Sequence, residues 1–462
     1  MHNAKTYRHK GMALIFTLFI LALTAIIGFG IHALMTTEIQ GAYLRYKNAK
    51  AYYYAKAGVA KALSALQTDY FWATSSSSKT NFDEGSYEVS VWADPSNPAK
   101  FLKKWKVVST GVFGNTSRTL EAWLQMDSFA KYAYFSNNEK MYYSGSWVTI
   151  WFTTDDILLG PVHSNYFFSL HGNPKFSEIV TSSNITSYGP PSTYDPNYNV
   201  STNTYSWGGA NYNDPSRFYH PYNNYSVDFP EALSGSTLFA FAGGQPYIEL
   251  PDTSSYNSII SGSANYSRAG NTSVVFAGGG TAGAGTMTIK SPADITPQTY
   301  DITGNTIVYI EGNATVSGIV DRAVNVIATG DISIPANLVY ENADDGNIDV
   351  LGLVSGGNIK VTKTTVGDIT INAAMLALNT SFIVENWSSA PYKGVIHLRG
   401  SLIQENRGPV GTFNASTGNP VSGYTKDYQY DNRLLNFPPP NFPTTGKISI
   451  KSWTDLSALG SE

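Results

Sequence analysis

The sequence predicts an α+β chain in which one long N-terminal helix and a small antiparallel sheet carry a large all-β domain, read as a β-solenoid. Three observations predict it. An uncharged apolar run, Met12 to Ile31, passes without a helix stop into an Ala- and Tyr-rich amphipathic stretch that ends near Leu66. Three later segments alternate apolar and polar residues, the period of a half-buried strand. Beyond Asn305, short apolar segments closed by Gly or Asn turns recur, a repeat whose units are too small to bury their own faces.

Composition agrees with this reading. The 462 residues are enough for two or three domains. Only 14% are charged, while 31 Tyr and 41 Gly accompany many β-branched and turn-forming residues. That profile suits β structure with uncharged polar faces, on an extracellular surface more than in a cytosolic enzyme. A net charge of −4 gives no bulk attraction to nucleic acid or anionic membrane. With no cysteine there is no disulfide staple, and a chain of this size can rely on its core.

Residues 1–11 hold Lys5, Arg8, His9 and Lys10, a basic head expected to stay cytoplasmic and leave the remainder outside the inner membrane. Met12–Ile31 as a helix measures about 30 Å, one hydrocarbon thickness. A secretory signal has a shorter core followed by a small-residue cleavage site. Here the small residue, Gly11, precedes the run, so a cut there keeps the hydrophobic segment. The helix is expected over 12–67, with Ala49, Tyr52, Tyr53, Ala57, Ala60, Leu63 and Leu66 on one face at three- and four-residue spacing. Its small residues allow close approach of a helix or sheet. Gly28 and Gly30 weaken the apolar half by about 1 kcal/mol each, and packing is the preferred reason for them. Asp69–Asp83 reads as a loop. A sheet over 68–128 follows, with strands Tyr87–Trp92, Trp105–Thr110 and Arg118–Met126 and a hairpin connection at Gly111–Asn115.

Lys10-Gly11-Met12-Ala-Leu-Ile-Phe16 resembles the processing site of a type IV prepilin, and Asn48–Leu63 resembles the alanine-rich helix of PilX-type minor pilins. The resemblance covers the first sixty-odd residues. It implies a leader, 1–11, removed by a prepilin peptidase after Gly11, N-methylation of Met12, and packing of the helix among other pilins in a filament core. Residues 12–128 then form a pilin stem. Most pilins carry Glu at the fifth mature position, where it is taken to pair with a neighbour's amino terminus; this chain has Phe16. A carboxylate in the membrane is kept where a partner amine exists, so its absence suits a subunit at the filament tip. A plain single-pass anchor is the alternative.

Residues 129–300 read as a loop-rich first part of the β module, with Thr186–Tyr225 a long surface loop and Ile157–Asn165 a short ordered strand and turn. The solenoid is expected over 301–446, on strands Thr306–Tyr309, Val324–Ala328, Asp349–Val354, Ala374–Leu378 and Val395–Leu398. Their turns lie 18, 26, 23 and 21 residues apart, and a two-sheet sandwich is the alternative. Tyr430–Pro443, with four prolines, is expected to be extended and laid across the solenoid as a cap. Residues 447–462 form a last strand or tail, with Lys447–Lys451 either on the solenoid or returned to the first sheet. Gly160–Asn165, Ile371–Ala374, Gly400–Gln404 and Tyr430–Arg433 resemble the large C-terminal module of ComZ-like competence pilins.

Catalytic patterns are weak. His163 and His171 lack metal-ligand spacing and read as structural. Asp344, Asp345, Gly346, Asn347 and Asp349 suggest a Ca²⁺ loop but lack the closing Glu, which favours a solvated turn. The Gly-rich run Ala277–Gly285 lacks the Lys-Ser/Thr of a phosphate cradle and reads as a flexible turn. Asp321, Arg322, Asp331 and Asp368 are the nominees for a polysaccharide-cleaving groove, without a repeating carboxylate pair. No metal or cofactor is called for.

Binding is the better expectation. Tyr205, Trp207, Tyr219, Tyr222, Tyr225 and Trp387 suit stacking on sugars or bases, or packing of the loops. Residues 201–462 carry 13 Lys and Arg against 21 Asp and Glu, so a DNA contact needs a local stripe. Lys360, Lys363, Lys393, Arg399 and Arg407 are its candidates. The reading is a non-catalytic minor pilin at or near the tip of a type IV-like pilus, presenting its β domain for adhesion or filament priming. DNA capture for transformation is the alternative, and a surface polysaccharide-degrading β-helix enzyme a lesser one. Expected partners are other pilins, a prepilin peptidase, the inner membrane through Met12–Ile31, and extracellular DNA or surface glycans.

Overall fold

The first element among the described residues is a single helix, α1 (Tyr7–Thr68), of 62 residues. At 1.5 Å per residue it is about 90 Å long. No proline interrupts it. The computed structural model describes residues 7–70, 72, 74–93, 104–152, 156–166, 175–176, 180–183, 198–199, 204–207, 210–211, 241–242, 245–344, 346–414 and 419–457. Contacts divide the chain into two units: Met1–Gln125 with Ile448–Glu462, and Met126–Lys447.

In the first unit, α1 is bare from Met12 to Gln40, with Phe16 and Phe29 among its exposed apolar residues. This stretch is long and apolar enough to cross a membrane. Thr17 and Thr24 donate their hydroxyls to the carbonyls of Leu14 and Leu21, so neither presents an open donor on the apolar surface. From Ala51 onward the helix packs on a five-stranded sheet of order β1 (Thr74–Phe82), β2 (Gly85–Ala93), β3 (Lys104–Phe113), β4 (Thr116–Ser128) and the strand Thr444–Asp455.

The buried face of α1 is Ala51, Tyr54, Ala55, Gly58, Val59, Ala62 and Leu66. The expected stripe is rotated: Tyr53, Ala49 and Ala60 point to solvent. Ala and Tyr fill both faces here, so hydrophobicity does not choose between them; backbone clearance does. Gly111 faces Ala51 and Ala55 so closely that a Cβ there would overlap the Ala51 carbonyl oxygen and the Ala55 nitrogen. Gly58 stands in the same way against the Ser109 side chain.

Tyr87, Val89 and Val91 of β2 and Leu120, Ala122 and Leu124 of β4 are buried, as their alternation predicts. Two corrections concern connections. The Ser/Thr-rich stretch expected as loop forms β1, joined to β2 at Asp83-Glu84. The β3–β4 turn is Gly114-Asn115 alone, because the strand runs through Gly111–Phe113. The closing strand lies beside β4, which decides between the two positions open for Lys447–Lys451.

The second unit is built on parallel ladders around one hydrophobic core. The first ladder stacks Tyr266, Val308, Val326, Leu353, Met375, Leu402, Tyr134, Val162, Val180 and Phe241 in register. A second stacks Ala314, Ile332, Ile359 and Phe382. A third stacks Gly318, Leu338, Ile371, Leu398, Tyr428, Leu158 and Phe176. Single strands turn from one ladder to the next. Ala314–Val320 does so near Gly318 (φ +112°), where a Cβ would overlap the Phe276 carbonyl. Tyr392–Asn406 does so at Gly400 (φ +154°), against the Ala373 carbonyl. Val395–Leu398 therefore belongs to the third ladder and not, as its spacing suggested, to the same position as Val324–Ala328.

Spatial order departs from sequence order. Tyr134–Asn138 pairs with Leu402–Asn406, and the strands at 162–164, 180–182 and 241–242 continue the stack beyond it. The chain then returns alongside to reach Tyr266. On the way Ile248 NH donates to Asn165 Oδ1, Thr253 Oγ1 meets Asn379 Oδ1, and Tyr256 OH donates to the Asn441 carbonyl. Thr253–Ser261 on this return path is a short helix, α2, capped by the Asp252 carboxylate on Ser255 NH.

Both faces of the first ladder are buried, inward at Val326 and Leu353 and outward at Ile327 and Val354, so its strands read as unbroken apolar runs. Pro438–Pro443 covers part of the outward face. Asn325 donates to the Pro440 carbonyl, and Gly352 leaves room for Pro439. The proline stretch thus lies across a flank of the stack, as expected, whereas Asn432–Leu435 just before it forms a 3-10 turn and is not extended.

Candidate functional site

Where Tyr134–Asn138 meets Leu402–Asn406, the second unit buries a polar cluster. Glu139 (0% exposed) pairs with Arg407 (1% exposed) at 2.8 Å, and the guanidinium lies 3.3 Å from the centre of the Phe152 ring. Tyr134 OH donates to Glu139 at 2.9 Å, Ser136 donates to the same carboxylate, and Arg407 Nη2 donates to the Trp151 carbonyl. Burial, and then the Glu139 carboxylate, hold the Tyr134 phenol well above its usual range, so it stays a donor.

Lys426 and Asp156 form a second buried pair in the same unit, at 2.6 Å. Burial pulls the Lys426 ammonium below its ordinary value while Asp156 opposes that shift. This pair is the floor of a cavity of about 250 Å³. Its walls include Tyr143, Trp151, Trp387, Phe413 and Tyr424, with Thr149, Thr412 and Thr425 among them. Tyr143 belongs to a hairpin, Lys140–Tyr143 with Ser146–Thr149, turned by Ser144-Gly145, both at positive φ. Its ring meets Trp387 edge-on at 5.6 Å, and Ser422 holds the Trp387 carbonyl at 2.7 Å. Across the hairpin, Tyr142 and Trp147 pair edge-on and are both largely exposed.

The five proposed DNA contacts do not form one stripe. Arg407 is buried, because Glu139, 268 residues away in sequence, takes its charge inside. Lys360, on the second ladder, is ion-paired with Asp331. Lys363 donates to the Gly367 and Asp368 carbonyls, and Lys393 donates to the Lys363 carbonyl. Arg399 stands 3.9 Å from Asp431. Between these last residues His397 lies 2.8 Å from Asp427 and 3.6 Å from Asp368, so the surface carries both signs.

Other nominees have structural partners. Asp321 Oδ2 accepts from Gly283 NH and Gly285 NH, and Glu341 accepts from Gly279 NH and Gly280 NH, so the Gly-rich run is tied down by carboxylates. Asp349 accepts from Arg322 NH and Asn342 NH and staples a turn; burial holds its carboxyl above the usual range. Tyr205 and Trp207 lie on the strand Thr204–Trp207. His171, Tyr219, Tyr222, Tyr225, Asp345 and most of Thr186–Tyr225 lie outside the described residues, as do residues 1–6 of the leader. Of the nominated aromatics, Trp387 reaches the cavity. The remaining wall was missed, although Tyr-Tyr-Ser-Gly-Ser-Trp at 142–147 is a hairpin signal.

His163 is buried with Nδ1 2.8 Å from Thr181 Oγ1 and its ring stacked on Phe135 at 5.4 Å. Burial pushes its pKa down to about 4 from 6.5. The unfolded chain therefore binds a proton on this residue between those values that the folded chain refuses. Stability is full above pH 6.5 and falls as pH drops toward 4, by about 3 kcal/mol in all. His163→Gln should flatten that slope in denaturation midpoints measured across the interval; an unchanged slope would refute the assignment.

A family profile described as a domain of unknown function (DUF4900) matches residues 100–184. No curated protein matches the chain. Among solved structures, the competence-associated pilin ComZ from Thermus thermophilus aligns over 88% of this chain and 97% of its own, at 12% identity and a TM-score of 0.34. Function is therefore to be read from this chain's own residues.

Proposed function

We propose that the protein is a non-catalytic minor pilin, anchored in the inner membrane by Met12–Ile31 before assembly and carried at or near the tip of a type IV-like filament afterwards. One observation carries the reading: α1 runs unbroken from a bare apolar half into a half seated on its own sheet. A plain anchor has no need of that continuity, whereas a subunit packed by its helix among others does. The prepilin-like junction Lys10-Gly11-Met12 supports it, and Phe16 in place of the usual Glu favours the tip. The first unit is then the pilin stem. The parallel ladders, with strands that turn from one to the next, are the faces of a β-solenoid that serves as the contact surface. DNA capture draws no support from Lys360, Lys363, Lys393, Arg399 and Arg407, which are buried, paired or interleaved with carboxylates.

The test is at Gly11. Amino-terminal sequencing and mass measurement of the mature chain should find N-methylated Met12 first, and Gly11→Val should leave the leader attached. A Gly11→Val chain with the same mature terminus would sink the prepilin reading. A deletion strain scored for both filaments and transformation separates priming and adhesion from DNA uptake.

A further inference from the structure

We infer that the cavity over Lys426 and Asp156 is a binding site for one ring of a neutral saccharide. This deepens the surface-contact reading above and rests on it for the source of the ligand. The walls supply flat aromatic faces. Trp387 is held by its neighbours, and Tyr143, half-exposed on its hairpin, stands edge-on to it. Such faces pack against the C–H face of a pyranose, burying apolar area with few torsions to freeze.

The floor supplies polarity without net charge. A carboxylate and an ammonium 2.6 Å apart cancel. The ammonium has three donors, and Asp156 takes one of them. A sugar hydroxyl both donates and accepts, so it suits a floor that offers both. Thr412 and Thr425 are already hydrogen-bonded to Ser422 and Tyr392, yet a hydroxyl in such a pair keeps acceptor capacity.

Size and charge discriminate against other ligands. About 250 Å³ lies below the roughly 300–1,000 Å³ of drug-sized pockets, which leaves room for a single ring. Nucleic-acid bases also stack on aromatics, but their phosphates demand uncompensated cations. Lys426 is the cation among the lining residues, and it is paired.

The experiment uses the full chain in a detergent without a sugar headgroup. The probes are the methyl glycosides of glucose, galactose, mannose and N-acetylglucosamine, with a short oligothymidylate as comparison. Tryptophan fluorescence and saturation-transfer NMR read binding. At least one glycoside should bind in the millimolar range. Trp387→Ala should weaken it by about tenfold or more and Trp387→Phe much less. Tyr143→Ala, at an exposed hairpin position, should weaken it without altering the unfolding midpoint. No binding of any glycoside, unchanged binding in both alanine variants, or preference for the oligothymidylate would overturn the assignment. None of those results touches the processing test at Gly11, so the two readings fail separately.

Discussion

Replacing Arg407 by Ala should be among the most destabilising single changes in the second unit, at about 3–5 kcal/mol. The loss comes less from the missing attraction than from what remains. Glu139 would stay fully buried with the Tyr134 and Ser136 hydroxyls as its hydrogen-bond donors and no ion-pair partner in contact. A native domain has about 5–15 kcal/mol in total, so the variant should unfold at far lower denaturant or temperature, or fail to accumulate. The double change Glu139→Gln with Arg407→Met should recover most of the loss. It removes both charges while keeping an amide oxygen for Tyr134. Denaturation of the full chain followed by circular dichroism checks both, and an Arg407→Ala chain within 1 kcal/mol of the parent would refute the account.

Gly111→Val is the second large effect, through sterics and not charge. Valine suits a strand, so local preference favours the change. Its Cβ, however, would overlap the Ala51 carbonyl oxygen and the Ala55 nitrogen, and the Tyr54 carbonyl carbon lies 2.8 Å away. All three are backbone atoms of a helix and do not rotate aside. Either α1 lifts from β3 or the strand slides, at a cost at or above the roughly 1–3 kcal/mol usual for overpacking. Limited proteolysis should then open α1 between Ala51 and Leu66. Ser90→Val, facing outward on β2, should stay within about 0.5 kcal/mol. A Gly111→Val chain as protease-resistant as the parent would show that the helix is not held by this contact.

Sequence and structure agree where periodicity is long and local. The helix from Met12 to Leu66 and the alternation in β2 and β4 were legible because each pattern lies within one element. The face of α1 was not, because Ala and Tyr occupy both sides and the choice depends on Gly58 in the helix and Gly111 in β3. β1 was missed for want of an apolar residue before Phe82. Ile157–Leu159 was read as a strand and is one, but Tyr134–Asn138 was not read and Val162–Ser164 was taken as a turn, since such short strands mean little until their neighbours at 402–406 are known. Arg407 was misread for the same reason, its partner being 268 residues away. At the cavity, Trp387 was nominated and the other walls were not, because the segments around 143, 151, 413 and 424 converge only through the ladders.

The displaced position of Tyr134–Asn138 bears on how the molecule is made. Synthesis delivers this strand early, yet the edge it pairs with, Leu402–Asn406, emerges 268 residues later. The layers at 134, 162 and 180 cannot grow upward from the amino terminus as each leaves the ribosome. They must wait, with Phe135 and Leu158 open to solvent, until residues 402–406 have been made. Long-range parallel pairing of this kind is slow and leaves sticky edges on view. The protein is thus expected to leave these edges uncovered until residues 402–406 have been made and to depend, during that wait, on holdase protection.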